Sequence, residues 1–405
     1  MNNQVNDEAL RQEVRSWLSA NWGAEIADVL KKEAYSWEAS DTRKAWLNKV
    51  VDARWAVTRW PEEWYGRGLS DDQAKIVERE FALVGAPGAG QDRINLWANT
   101  LLTAGSEGLK QKLIPRLLRN DVNMCLLYSE PGAGSDLAGI RTRADLDGDH
   151  YVVNGQKVWT SGAAVADYGM LIARTNWDVP KHQGISFFFL PMKQAGIEVR
   201  PLRQITNESH FNEVFITDAI VPAENLLSVP GSGWKVLNTA LAYERSSMGE
   251  GARGARSGVT LATKEEPLIA LAREAGKLDE PSLRQEIAQA IAYKRLNALN
   301  TARAKADLEQ GTSSSIMSLG KLAMSRILHE EGRLRTEILG AESLLEGKQY
   351  PRAEDANFLS LNAYFTSIGG GTDQIQRNII GERVLGLPKE PEVDKNIPFR
   401  DVRTS

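Results

Sequence analysis

Tyr128-Ser129-Glu130-Pro131-Gly132-Ala133-Gly134-Ser135-Asp136 is followed further along the chain by Asn154-Gly155-Gln156-Lys157-Val158-Trp159-Thr160-Ser161. In the first stretch, two glycines and an alanine let backbone N–H groups approach a ligand closely, and the hydroxyls of Ser129 and Ser135 can donate hydrogen bonds. Such a loop suits an oxygen-rich ligand, phosphate included. Taken alone, Gly-Ala-Gly-Ser reads more readily as a simple turn. Strand texture surrounds both stretches. Asp147-Gly148 and Asn154-Gly155 are tight-turn dipeptides flanking the β-rich DHYVV, and such dipeptides between apolar runs predict hairpins because both turn residues need positive φ. The runs GMLIART (169–175), GISFFFLPM (184–192), IEVRPL (197–202) and FNEVFIT (211–217) continue the pattern. Residues 123–231 are therefore expected to form a compact, mostly antiparallel β-domain.

Working outward, the flanks turn helical. Leu109, Leu113 and Leu117 recur every four residues, on one helix face. Eight of the eleven tryptophans (Trp17, Trp22, Trp37, Trp46, Trp55, Trp60, Trp64 and Trp97) fall in residues 1–122. Their expected role is packing between helices. In residues 232–388, Leu283, Ile287 and Ile291, then Leu296 and Leu299, mark an amphipathic helix that stops at Gly311. A second runs from Ile316 to Leu345, and together they predict a bundle. The tail, 389–405, is polar and expected to be loosely held.

Composition narrows the function. With 405 residues the chain has room for two to three domains. A formal charge of −4 gives no footprint of a polybasic nucleic-acid protein. One cysteine, Cys125, excludes an internal disulfide framework and a cysteine zinc site, and four scattered histidines make no metal cluster. No apolar run is long enough to span a membrane, and the amino-terminal residues lack a secretory pattern. The expected setting is the cytoplasm, with no membrane, nucleic-acid or metal partner. Neither G-x-G-x-x-G after a strand nor a Walker A motif is present.

The two quoted stretches together resemble the paired motifs of the acyl-CoA dehydrogenase family, which read S/T-E-P-x-A-G-S-D and N-G-x-K-x-W-I-T. The resemblance extends through Gly369-Gly370-Gly371-Thr372-Asp373-Gln374-Ile375-Gln376-Arg377. It implies an α+β fold: an N-terminal helical domain, a middle antiparallel β-domain and a C-terminal helical bundle. It also implies FAD bound between the β-domain and the bundle. By position, Ser129 would hydrogen-bond the pyrimidine side of the flavin, where such bonds stabilise the reduced ring, and Tyr128 is a further cofactor-binding candidate. Trp159 would lie along the ring, with Ser161 near N5. Gly134 and Ser135 would approach the pyrophosphate, and Thr372 and Gln374 would hold the dinucleotide from the C-terminal side. Without the resemblance, Trp159 reads as a buried hairpin aromatic.

The reaction implied is α,β-dehydrogenation of an acyl-CoA thioester to the trans-2-enoyl-CoA. A carboxylate removes the α-proton, hydride passes to flavin N5, and hydrogen bonds to the thioester carbonyl stabilise the enolate-like charge. Many relatives carry the base as Glu immediately before Gly-Thr; Gly370 stands there in this chain. The isovaleryl and long-chain branches use instead a glutamate of a Glu-Arg pair on an early C-terminal helix, matched here by Glu244-Arg245. Glu244 is thus the expected base, and the alternative is an ordinary Arg-paired helix carboxylate. Arg245, Ser135 and Gly371 are candidate substrate contacts. Two further departures are Ala272-Arg273-Glu274-Ala275-Gly276 in place of an Arg-x-x-Phe-Gly motif, and Glu337 in place of a glutamine. In the family these elements often serve a neighbouring subunit's flavin. The overall pattern looks most like the steroid and bulky-acyl branch, some of whose members are α2β2 heterotetramers. A homo- or hetero-oligomer is expected, with electron-transfer flavoprotein as acceptor. Two alternatives remain: a flavin-supporting subunit whose partner carries the base, and an oxygen-using oxidase or monooxygenase relative.

Overall fold

The computed structural model describes residues 2–32, 40–251, 266–309 and 317–403. Among these, the side chains of 2–6, 244–251, 305, 308–309 and 317–318 lie outside the description. The chain divides into two compact units. The first comprises 1–202, 209–253 and 393–405; the second, 203–208 and 254–392.

The first unit opens with helices α1 (Asn2–Asn21), α2 (Ala24–Lys32), α3 (Asp41–Asp52), α4 (Asp71–Val84), α5 (Gln91–Ile94), α6 (Leu96–Ala104) and α7 (Glu107–Leu118). Their ends are written locally. Ser70 and Gln73 close a capping box on α4, and Gly85 ends it in a left-handed conformation. Asn95 and Ser106 cap α6 and α7. The tryptophan expectation holds for the residues described. Trp46, Trp55 and Trp60 are buried, and Trp17, Trp22, Trp64 and Trp97 pack against the same core. Trp37 lies outside the described residues. Leu109, Leu113 and Leu117 are buried together on α7.

The sheet contains β1 (Met124–Leu127), β2 (Arg143–Asp147), β3 (His150–Ser161), β4 (Tyr168–Arg174), β5 (Ile185–Pro191), β6 (Ile197–Leu202), β7 (Phe211–Pro222) and β8 (Leu226–Leu227). The strand order is β6-β7-β3-β2-β4-β5-β8, with β1 also on β4. β4 runs parallel to β1 and β2, and the other pairs are antiparallel. Asp147-Gly148 does open the β2–β3 turn, where Asp147 pairs with His150. Asn154-Gly155 corrects the hairpin expectation, for it lies inside β3. A Cβ on Gly155 would stand 2.8 Å from the Thr142 Cα, so the glycine serves close backbone approach rather than a turn. Asn154 instead exchanges two 2.9 Å hydrogen bonds with Asp218 on β7, at a β-bulge.

α8 (Gly233–Gly251) follows the sheet and packs within the first unit, on α5, α6 and β5. The second unit holds α9 (Pro267–Glu274), α10 (Pro281–Glu309), α11 (Met317–Leu339), α12 (Pro351–Ile368) and α13 (Asp373–Ile379). Leu283 and Ile287 enter its core with Leu268, Leu334 and Ile338. Leu296 and Leu299 do not: they are 55% and 66% exposed, although Ala304 further along the same helix is buried, so these two leucines lie on a face of α10 that no described element covers. Gly311 lies outside the described residues. The loose-tail expectation is also corrected. Phe399 is 1% exposed, and its N–H donates to the Val179 carbonyl at 3.0 Å, docking the tail on the first unit. Among the described residues no helix is long and apolar enough to cross a membrane.

Candidate functional site

The two motifs quoted at the outset are joined by a buried ion pair. Lys157, on β3, is wholly buried and places Nζ 2.8 Å from Glu130 Oε1 and 3.1 Å from the Tyr128 carbonyl. Glu130 also accepts from the backbone N–H groups of Arg141 (2.6 Å) and Thr142 (2.9 Å). The Val158 N–H donates to the Ser129 carbonyl at 2.9 Å. The loop carrying Ser129 is thus stitched to β3 by main chain and charge together. Burial would raise the Glu130 carboxyl, but the Lys157 ammonium and the hydrogen-bond donors around it outweigh that and hold it below the usual carboxylate range. Glu130 and Lys157 carry no ligand role in the sequence reading. The signal for them was an acid in one motif and a base in the other.

Two residues beyond Lys157, the strand is deformed. Val158 and Trp159 stand opposite the single Glu213 of β7, a β-bulge that re-aims side chains. Trp159 has φ +62°, left-handed backbone that costs a non-glycine residue about 1–2 kcal/mol. Its indole is 57% exposed and meets Phe211 edge-on at 6.0 Å. The buried-aromatic reading of Trp159 is therefore overturned. A large aromatic held on strained backbone leaves its indole face open to solvent.

Around it, Ser129 and Ser161 are half-buried and Ser135 is exposed. Gly132 and Gly134 have no atom within 4 Å of where a Cβ would stand, so the loop backbone is open to an approaching group. Tyr128 differs: its ring is buried against Phe187, and its hydroxyl meets the Met170 sulfur at 4.0 Å. Its side chain thus belongs to the core. Glu244 and Arg245 fall on α8, four and five residues after the buried Ala240, and their side chains lie outside the described residues.

Gly369, Gly370, Gly371, Thr372 and Gln374 belong to the second unit. Gly370 and Gly371 have φ +68° and +93°, conformations that favour glycine. The Thr372 hydroxyl accepts from the Ile375 N–H at 3.2 Å and caps α13, and Gln374 is exposed. Beneath the turn runs a chain of side chains. His329 Nε2 lies 2.6 Å from Ser367 Oγ, which lies 3.0 Å from Ser325 Oγ, which donates to Asp373 at 2.8 Å. Lys321 donates to the Thr366 carbonyl and lies 3.7 Å from Asp373. Glu337 pairs with Arg333 on its own helix. Among the described residues no cluster of histidine, cysteine and carboxylate side chains could hold a metal ion.

Three family models match the chain: acyl-CoA dehydrogenase N-terminal domain over residues 5–121, middle domain over 125–219 and C-terminal domain over 231–385. The chain is 35% identical to acyl-CoA dehydrogenase IpdE1 of Mycobacterium tuberculosis, covering 95% of this chain and 98% of that one. Among solved structures, the Tcur3481-Tcur3483 steroid ACAD is 26% identical with a TM-score of 0.68, covering 95% and 98% of the two chains. The ChsE4-ChsE5 complex from Mycobacterium tuberculosis is 28% identical with a TM-score of 0.64, over the same shares.

Proposed function

The chain belongs to the acyl-CoA dehydrogenase family, and from that premise we propose that it desaturates a bulky, steroid-class acyl-CoA thioester with Glu244 as the base. It is an acyl-CoA dehydrogenase, an oxidoreductase, and the family's cofactor is FAD. Bound FAD supplies the ring that accepts hydride from the β-carbon.

The observation that carries the reading is Trp159, an exposed indole on left-handed backbone beside an open glycine loop. An indole in that setting fits a flat aromatic ring, and unfilled space over Gly132 and Gly134 fits a pyrophosphate. Ser129 and Ser161 would bind the ring's polar edge, and Gly134 and Ser135 the phosphate oxygens. Thr372 and Gln374, on the second unit, are the further dinucleotide contacts assigned by position. The base must be a carboxylate. Gly370 offers none, and its left-handed backbone disfavours any side chain there. Glu244 is then the carboxylate that takes the α-proton, with Arg245 ordering it or the substrate, and Gly371 and Ser135 placing N–H or hydroxyl donors toward the thioester. The bulky substrate class follows the steroid relatives, and a heteromeric assembly follows the two-component ones. Electron-transfer flavoprotein is the proposed acceptor.

The test is flavin bleaching by steroidal, branched, long and short acyl-CoA thioesters, with the chain alone and with candidate partner chains. Steroidal thioesters should bleach fastest. Glu244→Gln should keep FAD and slow flavin reduction by at least about 10²-fold. Near-normal bleaching in that variant would move the base away from Glu244.

A further inference from the structure

The Gly132–Asp136 loop runs into a short turn, Leu137–Gly139, and two cations hold that turn. Arg174, the last residue of β4, is wholly buried. Its guanidinium donates to the carbonyls of Ala138 (2.7 Å), Ile140 (3.1 Å) and Lys181 (3.0 Å). Burial pushes it down to about 10, so it stays protonated at neutral pH. The face of this guanidinium is covered by the Phe399 ring, with Arg174 Cζ 3.4 Å from the centroid. Lys181 is 8% exposed and bridges two carboxylates, Asp136 and Asp394, each at 3.2 Å. Two main-chain bonds add to this: Phe399 N–H to Val179 (3.0 Å) and Arg400 N–H to Trp177 (3.0 Å). Arg400 also pairs with Asp178.

We propose that Asp394 and Phe399 are positioning residues for the cofactor loop: acting through Lys181 and Arg174, they fix Asp136–Ile140 and so set the affinity of the Gly134–Ser135 backbone for FAD. This rests on the reading that the loop holds FAD. Ala133 is buried and exchanges two 3.0 Å main-chain hydrogen bonds with Glu130, but the exposed Gly134–Asp136 stretch beyond it would, if its far end were unpinned, lose conformational freedom each time a ligand bound. Pinning both ends in advance lowers that loss. Glu130 and Lys157 pin the first end from within the sheet, whereas the second end depends on a segment from the far end of the chain.

The experiment uses the full chain as apoprotein, with Phe399→Ala, Phe399→Leu, Asp394→Asn and Asp394→Glu variants. Hydrogen exchange is followed across 132–140, and FAD affinity by fluorescence titration. Phe399→Ala and Asp394→Asn should exchange faster in that segment and bind FAD about tenfold more weakly, the fold-change of one charge-assisted contact. Asp394→Glu should restore both, and Phe399→Leu should lie between. Wild-type exchange across 132–140 in the folded Phe399 and Asp394 variants overturns the clasp. Faster exchange with wild-type FAD affinity overturns its part in cofactor binding. Trp159→Ala separates the two levels: if it too binds FAD like the wild type, the assignment of the flavin site has failed and the exchange data alone judge the clasp.

Discussion

The Ser129–Ser135 loop and the Gly369–Thr372 turn are both proposed ligand contacts, yet they are held in different ways. The first is fastened by buried ions: Glu130 with Lys157 at one end, Arg174 and Lys181 at the other. The second takes its shape from left-handed glycines, a threonine cap and a chain of hydroxyls between α11, α12 and α13. A loop fastened by charge depends on residues distant in sequence, and removing one partner strands the other in a low-dielectric interior. A turn shaped by glycine carries its instructions locally, and its weak point is an added Cβ.

The largest expected effect therefore sits in the first region. Lys157→Met should destabilise the chain by about 3–5 kcal/mol, because it leaves the Glu130 carboxylate buried without its counter-ion. Urea unfolding reads the loss, and Glu130→Gln with Lys157→Met should lose less than the two single changes added. A double variant that loses the full sum would deny that the two residues act as a pair.

Gly370→Ala tests the second region and should lose about 1–2 kcal/mol through a Cβ at φ +68°. The same strain means that Gly370→Glu, which places a carboxylate at the family's commoner base position, should restore little turnover to Glu244→Gln. Substantial rescue would show that the turn tolerates a side chain and that the contrast is overdrawn.

Acid gives the smallest and most graded comparison. The folded Glu130 carboxyl binds its proton more weakly than the unfolded one. Its contribution to stability is therefore complete above the unfolded pKa of about 4.3 and is lost as pH falls through the lower folded value. Unfolding free energy measured from pH 6 downward should fall less steeply in Glu130→Gln than in the wild type. Equal slopes would remove Glu130 from the account.

The order helix, strand, helix was legible because it is written in periodicity: Leu109, Leu113 and Leu117 at helical spacing, then the alternating and β-branched runs after Asn123. Asn154-Gly155 misled because the same dipeptide serves two needs. A glycine that admits Thr142 against the strand looks, in sequence, like a glycine that turns the chain. Leu296 and Leu299 fit the apolar stripe of α10, but a stripe does not say which of its residues the neighbouring helices cover. The tail read as loose because its buried anchor, Phe399, is a single aromatic in a mostly polar stretch, and the partners of Asp394 and Arg400 lie far away in sequence.

By itself the sequence determined the family and the layered order of elements, since these depend on local spacing and motif chemistry. Only the tertiary structure decided that Glu130 neutralises Lys157, that Trp159 stands open on a bulge, and that Phe399 closes over Arg174. Each of these depends on which distant segments share a dry interior, where an unpaired charge is costly and a covered one is held in place.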